Sequence, residues 1–337
     1  DTLYGKLVPC DDYSMFAGTD LVVEAVFEDL ALKRRILSDV ERATGEKTIF
    51  ASNTSALPIR EIAAESLRPE NVIGMHYFSP VQRMPLLEII TTSDTSEWVT
   101  ASALEFGIRQ GKTCIVVKDG PGFYTTRILA PMLNEAVLLI EEGVDPAEID
   151  RAMLAFGYPV GPIALLDEVG IDVGAHVSRG LGPMFEARGA KPSAGLGRLY
   201  EKGYYGKKNK KGFYRYDLKK KKGMRPIDSG VLEVLRMAPQ RRAEAREIQD
   251  RVSLMMINEA LLCLQEGIIA SPRDGDTGAI LGLGFPPFRG GPFRHIDAEG
   301  AGAVLRRMDE LAEAHGGRFM AADILRDTAS SKRKFYP

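Results

Sequence analysis

Several features that would place the chain in a specialised class are scarce or missing. Only three cysteines occur among 337 residues (Cys10, Cys114 and Cys263), too few and too widely spaced for a disulfide framework or a zinc pattern. No uncharged apolar run reaches the roughly 18 residues that a membrane helix needs. The net charge of −2 lacks the strong positive balance typical of a chain that binds nucleic acid. We therefore expect a globular protein from a reducing compartment, with peripheral membrane contact left open.

The first third of the chain alternates apolar, β-branched runs with amphipathic segments. Such alternation predicts βαβ units and a parallel sheet. The predicted strands are Thr19–Val26, Thr48–Ala51, Val72–Phe78, Leu86–Ile90 and Thr113–Lys118, and the predicted helices are Leu30–Ala43, Pro58–Glu65 and Ser96–Gln110. The predicted fold class is α/β plus all-α, an incomplete Rossmann-type parallel sheet followed by two related helical domains.

The sheet is predicted to be incomplete because a glycine-rich phosphate-binding turn is missing. A dinucleotide fold normally opens with a strand, a G-x-G-x-x-G turn and a helix whose amino end holds the pyrophosphate. The two nearest matches, Gly195-Leu196-Gly197 and Gly282-Leu283-Gly284, are interpreted as turns because their surroundings lack the rest of that pattern. The chain also begins with Asp1 instead of Met. We expect an N-terminally truncated chain that binds NAD weakly.

An internal repeat dominates the remainder of the chain. Arg127–Gly143 matches Arg251–Gly267 at an offset of 124 residues, with Asn134-Glu135-Ala136 aligned on Asn258-Glu259-Ala260. Both copies have the apolar spacing of an amphipathic helix and end at glycine. The repeat predicts two duplicated helical domains that superpose and pack as a pseudo-symmetric pair, with only the first copy facing the sheet.

These patterns divide the chain into three predicted domains. They are a partial Rossmann-type domain over residues 1–119, a first helical domain over 120–225 and its duplicate over 226–337. Near the second boundary, Lys202–Lys222 interleaves lysines with tyrosines. This segment suits either a phosphate or coenzyme A ligand, or a solvated hairpin-like tail at a domain boundary.

His76 is the strongest catalytic candidate among the four histidines. It lies at the end of an apolar strand, where parallel sheets place their functional loops. Twelve residues later Glu88 interrupts another apolar strand, and a carboxylate there is costly unless it is paired. Histidine oriented by a carboxylate is suited to general-base catalysis near neutral pH. A purely structural buried pair is the alternative, and no metal site is expected.

Polar side chains also follow the first two predicted strands. Ser52-Asn53-Thr54-Ser55 suits either hydrogen bonding to a ligand or ordinary turn chemistry. Glu24 and Glu28 flank the end of the first strand, where a carboxylate accepts well from ribose hydroxyls. Lys33 lies one turn into the next helix. Each of these signals is weak when it is taken alone.

Together these segments resemble the L-3-hydroxyacyl-CoA dehydrogenase family. The matching motifs occur in the family's order: TDLVVEAVFEDLALK, TIFASNTSALPI, VIGMHYFSPVQRMPLLEII, VVKDGPGFYTTR and YPVGPIALLDEVG. The second helical repeat and the ending KKGFYRY are most similar to the multifunctional α-subunits of fatty-acid β-oxidation. FYTTR, GFPPFRGGPFR and KFYP resemble the mitochondrial members of that group.

The resemblance implies roles for individual residues. His76 would be the general base and Glu88 its partner, and Ser55 would bond the substrate hydroxyl or the nicotinamide region. Glu28 and Lys33 would contact the ribose side of the cofactor. Two positions depart from the single-function dehydrogenases, which have Asn where this chain has Thr126, a catalytic candidate, and Ser79, a cofactor-binding candidate. Both keep hydrogen-bonding capacity without the geometry of an amide.

The implied reaction is the NAD-dependent oxidation of an L-3-hydroxyacyl-CoA to a 3-ketoacyl-CoA, with a helical domain closing over the site. The implied partner is a thiolase β-subunit, and the implied location is mitochondrial in a eukaryote and cytoplasmic in a bacterium. Two alternatives stay open. One is another β-hydroxyacid dehydrogenase with a catalytic lysine, and the other is a non-catalytic scaffold or acyl-CoA-binding fragment.

Overall fold

The computed structural model describes residues 4–218, 225–237 and 241–336. It divides into two compact units, Asp1–Phe123 and Tyr124–Pro337. The first unit contains the sheet, and the second is built from helices. Within the described ranges, no helix is both long enough and apolar enough to cross a membrane.

Five strands form the sheet of the first unit and lie side by side in chain order. They are β1 (Leu21–Glu24), β2 (Ile49–Ser52), β3 (Val72–Tyr77), β4 (Leu86–Thr91) and β5 (Thr113–Lys118). Strands β1, β2 and β3 are mutually parallel, β4 is antiparallel to β3, and β5 is parallel to β4. The mostly parallel α/β sheet followed by a helical unit confirms the predicted fold class.

The prediction that every strand is parallel is wrong at β4. Only residues 78–85 connect β3 to β4. Parallel neighbours need a crossover of about a dozen residues or more, so this shorter connection returns the chain alongside β3. The resulting register places His76 directly opposite Glu88.

Three helices of the first unit follow the predicted segments closely: α1 (Leu30–Ala43), α2 (Ile59–Ala63) and α3 (Glu97–Arg109). The Asp29 carboxylate caps α1 by accepting from the amide of Leu32 at 2.7 Å. At the start of α2, the Asp119 carboxylate accepts from the amides of Ile59 and Arg60 at 2.8 and 2.9 Å. Carboxylates satisfy these otherwise unpaired amides, which fixes where each helix begins.

Alternation along the central strands separates the face that packs on α3 from the opposite face. Odd-numbered residues of β2, β3 and β4 pack with Val99 and Ala103 of α3 in a buried cluster: Ile49, Ala51, Ile73, Met75, Leu87 and Ile89. Because successive side chains of a strand point to opposite faces, His76 and Glu88 lie on the face away from α3. Phe50, Val72 and Ile90 are buried on that opposite face as well. His76 and Glu88 therefore lie on a largely apolar face.

The second unit contains eleven helices among the described residues. They are α4 (Thr125–Glu141), α5 (Pro146–Phe156), α6 (Pro162–Val169), α7 (Ile171–Glu186), α8 (Gly195–Glu201), α9 (Ser229–Val234), α10 (Ala245–Gln265), α11 (Pro272–Leu283), α12 (Pro292–Glu299), α13 (Ala301–His315) and α14 (Asp323–Ser331). The long helices α4 and α10 contain the two copies of the sequence repeat and pack against each other.

The side-chain contacts of the two copies correspond as the repeat predicts. Asn134 of α4 hydrogen-bonds to the backbone of residues 191 and 193, just before α8. Asn258 of α10 makes the same pair of bonds to residues 320 and 322, just before α14. The order of helices is also shared, since α4 to α8 correspond to α10 to α14.

Two buried carboxylates extend this correspondence. Asp150 accepts from the first amides of α6, at residues 163 and 164, and from the Tyr214 hydroxyl at 2.7 Å. Asp276 accepts from residues 293 and 294 of α12 and from the Tyr336 hydroxyl at 2.7 Å. Each copy therefore uses one aspartate to join a helix start to a tyrosine from a later segment.

Reciprocal ion pairs join the two copies across α4 and α10. Arg127 of α4 contacts Glu259 of α10 at 2.6 Å, and Arg251 of α10 contacts Glu135 of α4 at 2.6 Å. The two pairs are related by the same 124-residue offset as the sequence repeat. All four side chains are buried, and each contacts a second residue of opposite charge in the other copy as well, namely Glu266, Arg188, Glu142 and Arg318. The buried charges are therefore compensated across the two copies.

Two other predictions have mixed outcomes. Gly195-Leu196-Gly197 is not a turn but begins α8, whereas Gly282-Leu283-Gly284 ends α11, with Gly284 in the left-handed conformation at φ +73°. Of Lys202–Lys222, residues 219–222 lie outside the described part. Its described part contains a bridge between Gly206 and Lys211 and the buried side chains of Phe213 and Tyr214.

Candidate functional site

A buried histidine and carboxylate meet on the face of the sheet opposite α3. Nδ1 of His76 lies 2.9 Å from Oε2 of Glu88. His76 is 5% exposed and Glu88 is fully buried. Their contact follows from the antiparallel register, because directly opposed residues on neighbouring strands project to the same face. The predicted pairing of these two side chains is confirmed, and their catalytic roles stay predictions.

The carboxylate determines how the imidazole can act. An ionised carboxylate only accepts hydrogen bonds, so Nδ1 of a neutral His76 carries the proton and donates it to Glu88. Nε2 is then the unprotonated nitrogen, able to take a proton from a bound hydroxyl. The rings of Phe78 and Phe123 lie 4.4 and 6.2 Å from the imidazole, centre to centre. These apolar neighbours keep water away from part of the ring.

A second polar cluster follows β1 and includes two predicted cofactor contacts. The ammonium of Lys33, which is fully buried, lies 2.9 Å from Glu24 and 3.4 Å from Glu28. Glu24 also accepts from the Ser52 hydroxyl at 2.7 Å. Lys33 therefore contributes its charge inside the protein, between two carboxylates. Glu28 keeps 42% of its side chain exposed and remains the member of the cluster that a ligand can reach.

Glu28 also shapes the loop that follows β2. Its Oε1 accepts from the Thr54 hydroxyl at 2.6 Å and from the Ser55 amide at 3.0 Å. The Thr54 hydroxyl in turn accepts from the amide of Leu57. Ser55 itself is exposed, and its hydroxyl has no hydrogen bond within the described residues. The loop thus combines both earlier interpretations, since Thr54 serves the turn while Ser55 presents a free hydroxyl.

One contact of this loop was not predicted from the sequence. The side-chain oxygen of Asn53 accepts from the amide of Tyr77 at 2.8 Å, next to His76. Tyr77 is fixed at its other end as well, where its hydroxyl donates to Gln110 at 2.8 Å and burial raises the pKa of Tyr77. Asn53 therefore ties the end of β2 to the strand residue that follows His76. The only sequence signal for this contact was an amide at the end of a strand.

The predicted residues of the first unit converge at one edge of the sheet. Because β1, β2 and β3 are parallel, their carboxyl ends lie at the same edge. Glu28 follows β1, Ser55 follows β2, and Ser79 follows β3 in an exposed position. Ligands of open α/β sheets bind outside the carboxyl ends of the strands. Thr126 lies in α4, which is part of the second unit, so its place in the site stays a prediction.

No metal-ligating cluster accompanies these residues: within the described ranges, no group of three or more His, Cys, Asp or Glu side chains is arranged to hold an ion. The other histidines lie in the second unit. His295 is buried, and burial lowers its pKa to about 4, whereas His176 is exposed. Neither has the combination of strand end and buried carboxylate that distinguishes His76.

Two family models match the chain. Residues 1–120 match the 3-hydroxyacyl-CoA dehydrogenase NAD binding domain. Residues 122–216 and 248–335 each match the 3-hydroxyacyl-CoA dehydrogenase C-terminal domain. The double match agrees with the duplication seen in the hydrogen bonds of the second unit.

Similar proteins include α-subunits of bacterial fatty acid oxidation complexes. The chain is 49% identical to the one from Shewanella amazonensis over 340 residues, which cover 100% of this chain and 47% of the relative. It is 51% identical to the one from Idiomarina loihiensis over 329 residues, covering 96% and 46%. The chain thus spans about half the length of the curated relatives it matches.

A solved structure shares the fold over nearly the whole chain. The 3-hydroxybutyryl-CoA dehydrogenase of Escherichia coli K12 superposes with a TM-score of 0.83 at 26% identity. The match covers 97% of this chain and 84% of that protein. The sheet and the helical unit of this chain therefore each have a counterpart in a single known dehydrogenase.

Proposed function

Because the chain belongs to the 3-hydroxyacyl-CoA dehydrogenase family, we propose that it carries out the NAD-dependent oxidation of L-3-hydroxyacyl-CoA to 3-ketoacyl-CoA in fatty-acid β-oxidation. The observation that carries the proposal is the 2.9 Å contact between His76 and Glu88 at the end of β3. A general base needs both a free nitrogen and a neighbour that stabilises its protonated form. This pair supplies both, at the sheet edge where such ligands bind.

The chemistry assigned to the chain's own residues is the proton transfer. Nε2 of His76 accepts the proton of the substrate 3-hydroxyl, and Glu88 stabilises the imidazolium that forms. NAD, when bound, accepts the hydride that leaves C3. The exposed carboxylate edge of Glu28 fits ribose hydroxyls as an acceptor, in keeping with the match of this region to an NAD binding domain. Lys33 supports Glu28 from the buried side.

Smaller roles are proposed for three hydroxyl side chains. Ser55 bonds the substrate hydroxyl or the nicotinamide region, since its hydroxyl is exposed beside Glu28. Ser79, exposed after β3, contacts the cofactor, and Thr126 assists catalysis from α4. The last two replace the amides of related dehydrogenases with groups that both donate and accept.

The test is His76→Ala in this protein. Removal of a positioned base should lower turnover by about 10²–10⁴-fold. Binding of NADH should change little, because the proposed ribose contacts come from Glu28. His176→Ala, at an exposed histidine of the second unit, is the matched control and should leave turnover unchanged. An equal loss of NADH binding and of rate would identify His76 as structural and refute the proposal.

The scaffold alternative retains one observation in its favour, since the printed sequence contains no G-x-G-x-x-G turn. Calorimetry of the 337-residue chain with NADH and with acetoacetyl-CoA separates the alternatives. Acetoacetyl-CoA binding without NADH binding would favour an acyl-CoA-binding module. Activity on free hydroxyacids that survives His76→Ala would instead favour a lysine-dependent dehydrogenase.

Partners and location are proposed from the relatives. Their names describe subunits of fatty acid oxidation complexes, which supports a complex partner, and the finer proposal is a thiolase β-subunit. The relatives reported above are bacterial, which supports a cytoplasmic location in a bacterium over the mitochondrial one. The similarity to mitochondrial α-subunits and the peripheral membrane contact stay predictions.

A further inference from the structure

The second copy of the helical domain contains a cavity that the proposed reaction does not use. Its volume is about 580 Å³, within the range of small-molecule sites. Ile280 and Leu281 of α11 form an apolar wall, and Tyr336 lines another side. Two cations, Arg273 of α11 and Arg294 of α12, complete the lining. The cavity therefore combines an apolar surface with two guanidinium groups.

The guanidinium groups of Arg273 and Arg294 are available to a ligand. Both arginines are exposed, and within the described residues neither forms an ion pair. The cavity's carboxylate, Asp276, is already bound to the Tyr336 hydroxyl and to two amides of α12. The guanidinium carbon of Arg294 lies 3.8 Å from the centre of the Tyr336 ring, which orients its donors. The lining of the cavity contains two positive side chains, Arg273 and Arg294, and one negative side chain, Asp276. Its net charge is therefore positive.

The first copy of the domain shows that the fold does not need these arginines. Asp150 and Tyr214 reproduce the framework that Asp276 and Tyr336 form in the second copy. When Asp276 is aligned with Asp150, however, Arg273 of the second copy corresponds to Ala147 of the first. By the shared amide contact, Arg294 corresponds to Ala164. The same helix start and the same tyrosine contact thus form without either cation.

We propose that this cavity is a second ligand site, separate from the catalytic edge of the sheet, for a small amphiphile that has a phosphate or carboxylate joined to an apolar chain. The planar guanidinium groups of Arg273 and Arg294 match the oxygens of either anion. Ile280 and Leu281 contact the apolar chain. An anion alone would leave the apolar residues of the lining without a contact, and an apolar chain alone would leave the two arginines without one.

Isothermal titration calorimetry with four probes tests the site: hexyl phosphate, hexanoate, inorganic phosphate and hexanol. At least one of the first two should bind saturably, and which of them binds more tightly identifies the anion as phosphate or carboxylate. Inorganic phosphate and hexanol should each bind at least roughly tenfold more weakly, because each lacks one half of the ligand. Failure of both amphiphiles to bind would overturn the proposal. So would inorganic phosphate binding as tightly as hexyl phosphate.

Substitutions locate the binding. Arg273→Ala and Arg294→Ala should each weaken the tighter amphiphile roughly tenfold, since each removes charge-assisted hydrogen bonds. Arg306→Ala is the matched control, because Arg306 is an exposed arginine of the same copy that forms no ion pair with any described residue. It should leave the affinity unchanged. Unchanged affinity in both cavity variants, with unchanged circular dichroism, would place the binding elsewhere and overturn the assignment.

Discussion

Buried carboxylates occur in both units of the molecule, but their partners differ. In the helical unit, Glu135 and Glu259 pair with arginines, and the arrangement occurs twice, once in each direction between α4 and α10. In the sheet unit, Glu88 pairs with a histidine, and no repeat of that pair exists among the described residues. The helical pairs lie inside a packed interface, whereas His76 lies where β3 ends at the sheet edge.

Under the proposed function, the difference separates a structural ion pair from a catalytic one. Arginine stays charged at every physiological pH, so its pairs hold two helices together without exchanging protons. Histidine changes charge near neutral pH, and a carboxylate beside it supports that change. Burial of a carboxylate is therefore a poor sign of catalysis by itself. The identity of the partner and its place in the fold carry the information.

The largest expected effect is on the stability of the helical unit. Glu135→Ala removes a carboxylate that contacts both Arg251 and Arg318. Glu259→Ala removes one that contacts both Arg127 and Arg188. Each change should lower the free energy of unfolding by about 3–5 kcal/mol, because two arginines lose charge-assisted hydrogen bonds worth about 1.5–3 kcal/mol each. Urea denaturation followed by circular dichroism measures the loss, with the exposed Glu310→Ala as the control. Losses below about 1 kcal/mol in both variants would show that these ion pairs contribute little to stability. The contrast with the pair of His76 and Glu88 would then fail.

The pH dependence of stability gives a second test within the helical unit. Burial raises the pKa of Asp167 and of Asp276 to about 6, above the ordinary 3.8. Folding therefore favours the protonated forms, so their contribution is fully present below about pH 4 and is lost as the pH rises through about 6. Each group should account for about 3 kcal/mol across this range.

Unfolding free energies measured between pH 4 and 7 for the wild type, Asp167→Asn and Asp276→Asn isolate these contributions. The decline with rising pH should be shallower in each variant than in the wild type, whatever its absolute stability. Identical slopes in all three proteins would show that neither carboxyl takes up a proton on folding in this range. The helical carboxylates would then resemble ordinary surface groups.

Glu88→Gln has the smallest expected effect. It tests the histidine–carboxylate pair of the sheet unit. The amide keeps the size of the side chain but no longer stabilises the imidazolium, so the proposed turnover should fall by about 10²-fold. The loss of stability should be smaller than that of Glu135→Ala. A large loss of stability with unchanged turnover would identify the pair as structural, like the ion pairs of the helical unit.

Sequence reasoning located most elements because their signals are local. The helix Leu30–Ala43 and the strand Thr113–Lys118 were predicted with the bounds the structure has, since Asp29 caps the helix and β-branched residues fill the strand. The direction of β4 was missed because it depends on the length of a connection. The turn predicted at Gly195 was wrong because packing overrides the weak helix propensity of glycine.

The contacts of the candidate site also divide into those that the sequence predicts and those that it does not. His76 and Glu88 could be paired from the sequence because a charged residue inside an apolar strand needs a partner nearby. The contact from Asn53 to Tyr77 and the bonds of Glu28 to residues 54 and 55 were not predictable. They depend on which loops meet at the carboxyl edge, and hence on strand order, which composition and periodicity do not encode.

Arg127 and Arg251 each pair with a glutamate of the other copy. This arrangement has a consequence for how the sequence can evolve. In a symmetric dimer of two identical chains, every substitution appears on both sides of the interface and dilution separates the halves. Here the chain itself tethers the halves, so their association is a first-order event independent of protein concentration. A substitution also alters one half only. Each half is thus free to acquire residues that the other lacks, as Arg273 and Ala147 show.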